Sequence, residues 1–346
     1  MFKATTPSTR NVRTRTTRLA ALATGAALLV TTAGCGDDTD NTSARLRVAV
    51  AFFPLAELAR NVAGDALGTS VDVVSVVPDG EQAHDFEPTP RQIDDLGDAD
   101  LVVFLGNGFQ AGIEKAIESL PPSVTRLDLL QSVDLIEVGT EIVADDHAGE
   151  GDEHAGESGD EHAEEGSPDP HVWLSPRRMA TMADAVATAI ATALDGAGDD
   201  AGAAQVRAGA TDYTAALADL DAGFTEGLRT CEQTILVTGH HAFGYLAADY
   251  GLTQVSISGI SPSEEPSAET LEEIARFATA NGVSTIFFEE NLPADLSRTV
   301  ADEIGATTER LDPIEAPSTD QLAAGATYVS LMGDNLDALR TGLGCW

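Results

Sequence analysis

The sequence predicts an α/β protein of two lobes, each a mostly parallel sheet flanked by helices, joined by one long linking helix. Two observations carry this. Short β-rich apolar runs alternate with helical patterns in two separate series, the signature of parallel βα units. Between the series, residues 201–228 form an Ala-rich segment with apolar residues at helical spacing and no proline, long enough to cross a whole domain.

In the first series, "RVAVA" (residues 47–51) reads as a strand that passes through Phe52-Phe53-Pro54 into the helical "LAELARNVAG". "VDVVSVV" (71–77) and "LVVFL" (101–105) are further apolar strands, and "TPRQIDDLGDAD" between them is helix-like. Ser175-Pro176 supplies an N-cap and a first-turn proline for a helix over 177–194, and "DGAGDD" breaks it before the long segment. The second series has strands at 234–237, 254–257 and 283–288, helices at 242–250 and 268–281, and a final helix up to residue 344. In such sheets the ligand loops lie at the carboxyl ends of the strands.

The amino terminus has the order of an export signal. Lys3, Arg10, Arg13, Arg15 and Arg18 precede the apolar run "LAALATGAALLV" (19–30), which is shorter than the about 20 residues of a membrane span. Thr32-Ala33-Gly34-Cys35 then resembles the bacterial lipobox, which implies cleavage before Cys35, acylation of its sulfur and a place on the outer face of the cytoplasmic membrane. The domain plan that follows is a signal peptide at 1–34, a tether at 35–44, a first lobe at 45–198, the linking helix at 199–230 and a second lobe at 231–346. The remaining cysteines, Cys231 and Cys345, are an even pair in an exported chain without C-x-x-C spacing, which favours a disulfide over a metal site. A formal net charge of −38 leaves no basic surface for nucleic acid.

Chemistry is concentrated in seven histidines. His147, His154 and His162 lie in an acidic insertion at 145–168 built on an imperfect repeat ("DDHAGEG", "DEHAGESG", "DEHAEEG"), a composition with almost nothing apolar to bury. His84 ("GEQAHDFEPTPRQ"), His171 ("SPDPHVWLSP"), His240 and His241 ("TILVTGHHAFGYL") each follow a strand or turn, and none is on an apolar helix face. This distribution favours metal chemistry, since neutral imidazole is the commonest side-chain ligand for zinc and its neighbours. At a helix N-terminus the dipole disfavours the imidazolium, which suits ligation by one of the 240/241 pair. His241 is read as the one facing solvent.

Taken in order, "VAVAFFPLAELARNVAG", "HDFEPTPRQIDDLGDADLVVFLGNGF", "DPHVWLSP", "HHAFGYLAADYGL" and "IFFEENLPADLSRTVADEIGA" followed by "LDPI" resemble the metal-specific solute-binding proteins of bacterial ABC importers, over nearly the whole mature chain. The resemblance implies a metal site in the cleft between the lobes, with His84 and His171 from the first lobe and His240 from the second. It carries a fourth, carboxylate ligand onto Asp312 in "RLDPI", a place where some zinc members use water or an acidic loop residue. It further implies that the long helix limits hinge bending, and that the partners are the zinc ion, an ABC permease with its ATPase and, through the lipid, the membrane. Ala83 departs from the proline or aspartate frequent before the first histidine. Both the His-rich insertion and a histidine at 240, where manganese members tend to have glutamate, point to zinc, and a nitrogen-rich set suits that ion.

The functional expectation is an extracytoplasmic zinc receptor that delivers its cargo to an importer. The alternatives are a manganese or iron receptor of the same family, a surface metal buffer or adhesin without a transporter, and a zinc hydrolase. The last would need an open coordination position and a general base such as Glu87 or Glu289, and the chain has no H-E-x-x-H motif. The three histidines of the insertion are read as auxiliary ligands that collect further zinc weakly, because an unfolded chain loses entropy when it wraps an ion. Deleting residues 146–166 should therefore leave one tight zinc site and remove the weaker stoichiometry in calorimetry; unchanged stoichiometry would end the collecting role.

Overall fold

The strands pair as two parallel four-stranded sheets of identical order. In the first, β1 (Leu46–Val50) lies between β2 (Val71–Ser75) and β3 (Leu101–Phe104), and β4 (Thr125–Asp128) flanks β3. In the second, β5 (Ile235–Thr238) lies between β6 (Thr253–Ser256) and β7 (Thr285–Phe288), and β8 (Thr307–Arg310) flanks β7. The register sets Val48 against Val73 and Leu101, and Val237 against Val255 and Ile286. The computed structural model describes residues 45–137, 168–289 and 295–346. The signal peptide and tether, Cys35 and the insertion's His147, His154 and His162 lie outside them.

Central strands are mostly apolar because helices cover both faces of the sheet. The helices of the first half are α1 (Phe53–Ala63), α2 (Pro90–Gly97), α3 (Ala111–Glu118) and α4 (Pro176–Gly196). As the sequence suggested, the Ser175 hydroxyl caps α4 by accepting from the Arg178 N–H at 3.2 Å, with Pro176 in the first turn. The long segment is α5 (Asp200–Gly227), whose 28 residues span about 42 Å. It packs on α1 and α4 and, further along, on the second half. The α1 crossing is close: a Cβ at Gly209 would stand 2.6 Å from the Val62 carbonyl oxygen.

The second half adds α6 (Gly244–Tyr250), α7 (Ala268–Ala280), α8 (Asp295–Ile304), α9 (Thr319–Ala323) and α10 (Tyr328–Gly342). The single final helix expected from the sequence is thus three helices and a strand. Gly305, at φ +71, ends the first of them, and Pro313 falls in the loop after β8. Two further elements were not anticipated: α3, which follows the glycine-rich "GNGFQ", and β4, an edge strand of sequence Thr-Arg-Leu-Asp with little to bury.

Residues Thr42–Trp346 form one compact unit, and one apolar core runs from the first sheet through α4 and α5 to Phe287, Leu311 and Tyr328 of the second half. Hydrogen bonds cross between the halves at buried points. The Trp173 indole N–H donates to the Pro313 carbonyl at 2.7 Å, the Tyr245 hydroxyl to the Asp169 carbonyl at 2.7 Å, and the Tyr328 hydroxyl to the Trp173 carbonyl at 2.5 Å.

Cys231 and Cys345 form a disulfide across a sequence separation of 114, tying the end of the chain to the segment after α5. Replacing both by serine should cost about 2–5 kcal/mol of unfolding free energy, read as a lower urea midpoint; an unchanged midpoint would show that the C-terminal turn is held by packing alone.

Candidate metal centre

Four side chains from four loops meet where the two halves face each other: His84, His171, His240 and Glu315, with one potential ligand atom from each lying within 4.8 Å of all the others. His84 is in the loop from β2 to α2, His171 opens the short 3-10 turn Val172–Leu174 before α4, His240 follows β5, and Glu315 follows β8. All four side chains are buried, at 6%, 0%, 1% and 2% exposure in that order.

The fourth member is Glu315, where the resemblance had pointed to Asp312. Asp312 has its carboxylate spent elsewhere: Oδ1 accepts the Ile314 N–H at 2.7 Å and Oδ2 the Gln321 side-chain amide at 3.3 Å. Asn335 of α10 clamps its backbone from both sides, donating to the Asp312 carbonyl at 2.7 Å and accepting its N–H at 2.8 Å. These bonds hold Ile314 at φ +61, a costly conformation for a β-branched residue. The turn so built brings Glu315, three residues on, to the histidines. His241 is outside the group, its backbone N–H bonded to the Gly259 carbonyl at 2.8 Å.

Two imidazoles are fixed in the same way. Asp169 Oδ1 accepts both the backbone N–H of His171, at 2.9 Å, and its ring Nδ1, at 2.8 Å. A Glu289 carboxylate oxygen does the same for His240, at 3.0 and 2.7 Å. Because a carboxylate only accepts, the hydrogen sits on Nδ1 and each Nε2 is left with a lone pair facing the cluster. The sequence reading did not use Asp169, although it is the aspartate of the Asp-Pro-His motif, and it took Glu289 only as a possible base.

At the centre the distances suit ligands sharing an ion better than partners in hydrogen bonds. His84 Nε2 lies 3.2 Å from His171 Nε2, and Glu315 Oε1 lies 3.4, 3.6 and 3.7 Å from the Nε2 atoms of His84, His171 and His240. Tetrahedral zinc with bonds of about 2.0–2.1 Å separates its ligand atoms by about 3.4 Å. His240 Nε2 and Glu315 Oε1 are buried with no hydrogen-bond partner. Acceptors gathered like this repel unless positive charge lies among them.

Protons and a dication compete for that place. Burial lowers the His240 pKa, but the charge and hydrogen bond of Glu289, then Glu315, outweigh it and push the group up to about 10. His171 is also raised: burial works against it, while Asp169 and then Glu315 prevail. Burial would raise Glu315, yet the charge on His84 and the close approach of the other two imidazoles hold it well below the usual carboxylate range.

A family model described as zinc-uptake complex component A, periplasmic, matches residues 48–342. The chain belongs to that family. It is 33% identical to the high-affinity zinc uptake system protein ZnuA of Bacillus subtilis over 324 residues, 92% of this chain and 95% of that protein. It is also 33% identical to the zinc-binding lipoprotein AdcA of Streptococcus pneumoniae over 298 residues, 86% of this chain and 55% of that protein, so it spans about half the length of that relative. The crystal structure of the Zn(II)-bound ZnuA-like domain of that AdcA superposes with a TM-score of 0.68 at 29% identity, covering 86% of this chain and 99% of the domain.

Within this family member, the His240 pKa raised to about 10 means that a cation must displace a proton at neutral pH, and His171 is shifted in the same direction. Apparent affinity for a divalent cation should then fall by about one to two decades per unit as pH drops from 8 to 6, with proton release in calorimetry. An affinity flat across that range would contradict the arrangement.

Proposed function

We propose that this protein is an extracytoplasmic receptor that binds Zn(II) tightly as cargo and hands it to an ABC importer, anchored to the membrane through a lipid on Cys35. The observation that carries the reading is the convergence of three imidazoles and one carboxylate, all buried, with one carboxylate oxygen 3.4, 3.6 and 3.7 Å from the three Nε2 atoms, separations that suit a shared zinc ion. Family membership supports the delivery step, and the relatives named for zinc uptake and as a zinc-binding lipoprotein support the cargo and the anchor. Among the described residues no helix is long and apolar enough to cross a membrane.

The donor set favours zinc over manganese, since three nitrogens and one oxygen suit a borderline ion better than a hard one. Four protein ligands also close the coordination sphere, whereas a zinc hydrolase keeps a position open for water. Glu289, a candidate base for such chemistry, instead holds His240. Glu87 is exposed, with its carboxylate against Gly112 of α3.

Metal analysis of the purified protein, with competition between Zn(II) and Mn(II), tests the reading directly. Alanine at His84, His171, His240 or Glu315 should each lower zinc affinity by orders of magnitude, while alanine at His241 should leave it within a few-fold. Preferential loading with manganese, or tight zinc binding that survives loss of His240 but not of His241, would overturn it.

A further inference from the structure

His171 and His240 are each locked by a carboxylate on Nδ1, but no carboxylate among the described residues does this for His84. Its loop is held instead by the corner between β3 and α3. Phe109 meets the His84 ring edge-on with centroids 4.6 Å apart. Gly112, in the first turn of α3, lets the loop come close: a Cβ there would stand 2.9 Å from the Phe86 carbonyl oxygen and 2.8 Å from a Glu87 carboxylate oxygen. Between them lies Gln110, 1% exposed, whose side-chain N–H donates to the carbonyl of Ala83, the residue before the ligand, at 3.0 Å in a buried bond.

Gln110 is an odd residue for the place. It occupies the N-cap position of α3 yet makes no capping bond, and Glu114 bonds the Gln110 N–H in its stead, at 3.2 Å. Its amide orientation is fixed, because the Ala83 carbonyl can only accept and must face the nitrogen. That leaves Gln110 Oε1 buried without a partner. An apolar side chain of the same size would avoid this cost but strand the buried Ala83 carbonyl, so the glutamine is tied to that one bond.

We propose that Gln110 is the positioning residue of the His84 arm: its amide pins the Ala83 carbonyl, and through it the backbone that aims the imidazole at the other three ligand atoms. The proposal rests on the reading of His84 as a zinc ligand. Preorganisation of this kind acts on ligand geometry, as do the outer partners of metal-binding histidines elsewhere.

The test is a double-mutant cycle on the full chain, with Zn(II) affinity measured by chelator competition and zinc loss followed by transfer to excess chelator. Gln110→Met should weaken zinc binding about tenfold and speed zinc loss, while any fall in the melting temperature of the metal-free protein is the same with and without His84. In the His84→Ala background the same change should have no further effect, since Gln110 acts only through His84. Should the Met variant fail to fold, Gln110→Leu serves the same cycle. Unchanged affinity on the native background, or an equal loss with and without His84, would overturn the positioning role alone. Full zinc affinity in His84→Ala would overturn the ligand assignment and the positioning role together.

Discussion

Everything about this fold turns on one buried carboxylate. Glu315 is 2% exposed, and its ion-pair partners are three imidazoles contributed by both halves of the molecule. Such a group is tolerable inside a protein only when positive charge balances it in a fixed geometry. The two sheets, the helix across them and the bonds at the junction can be understood as the means of holding that geometry. The Trp173 to Pro313 bond is a direct example, since it ties a residue two positions from His171 to one two positions from Glu315.

The scaffold also explains why the site draws on different loops without being loose. Each member of the cluster lies at the carboxyl side of a strand or at the start of a helix, where rigid elements fix its backbone, and neighbouring polar groups bond the side chains or loops of His84, His171 and His240. The strained turn at Ile314 fits the same logic. A β-branched residue stays in the left-handed region because Asp312, Asn335 and Gln321 leave it no alternative, and the conformation serves the residue that follows.

Much of this was legible before the structure. Central strands announced themselves because sheets covered on both faces need largely apolar runs, and α4 because Ser175-Pro176 both caps and starts a helix. The edge strands β4 and β8 did not, since Thr-Arg-Leu-Asp and Thr-Thr-Glu-Arg have half-exposed side chains with no period to detect. The site divides along similar lines. Seven histidines, three of them in one insertion, make each remaining one informative, and His84, His171 and His240 do meet. Among 57 acidic residues a single carboxylate carries little signal, so Asp312 and Glu315 could not be told apart by type or spacing. Only the hydrogen bonds of one turn show that Glu315 joins the histidines while the Asp312 carboxylate is bonded elsewhere. Gln110 was invisible for a related reason: a lone glutamine beside a glycine-rich loop says nothing until its partner is known.

The position of Trp173 has an optical consequence. The chain has two tryptophans, and the structure separates them sharply: Trp346 is 74% exposed at the carboxyl terminus, while Trp173 is fully enclosed. Its ring lies 5.1 Å from that of His171, centroid to centroid, and its indole N–H is engaged by the loop that carries Glu315. An enclosed indole emits to the blue of an exposed one and responds to the charge of a neighbouring imidazole. The two emissions can therefore be told apart by wavelength, and the blue one reports on the interior of the cleft. The protein thus has an intrinsic fluorophore at the centre of its own chemistry, through which the state of the site can be followed in unlabelled material.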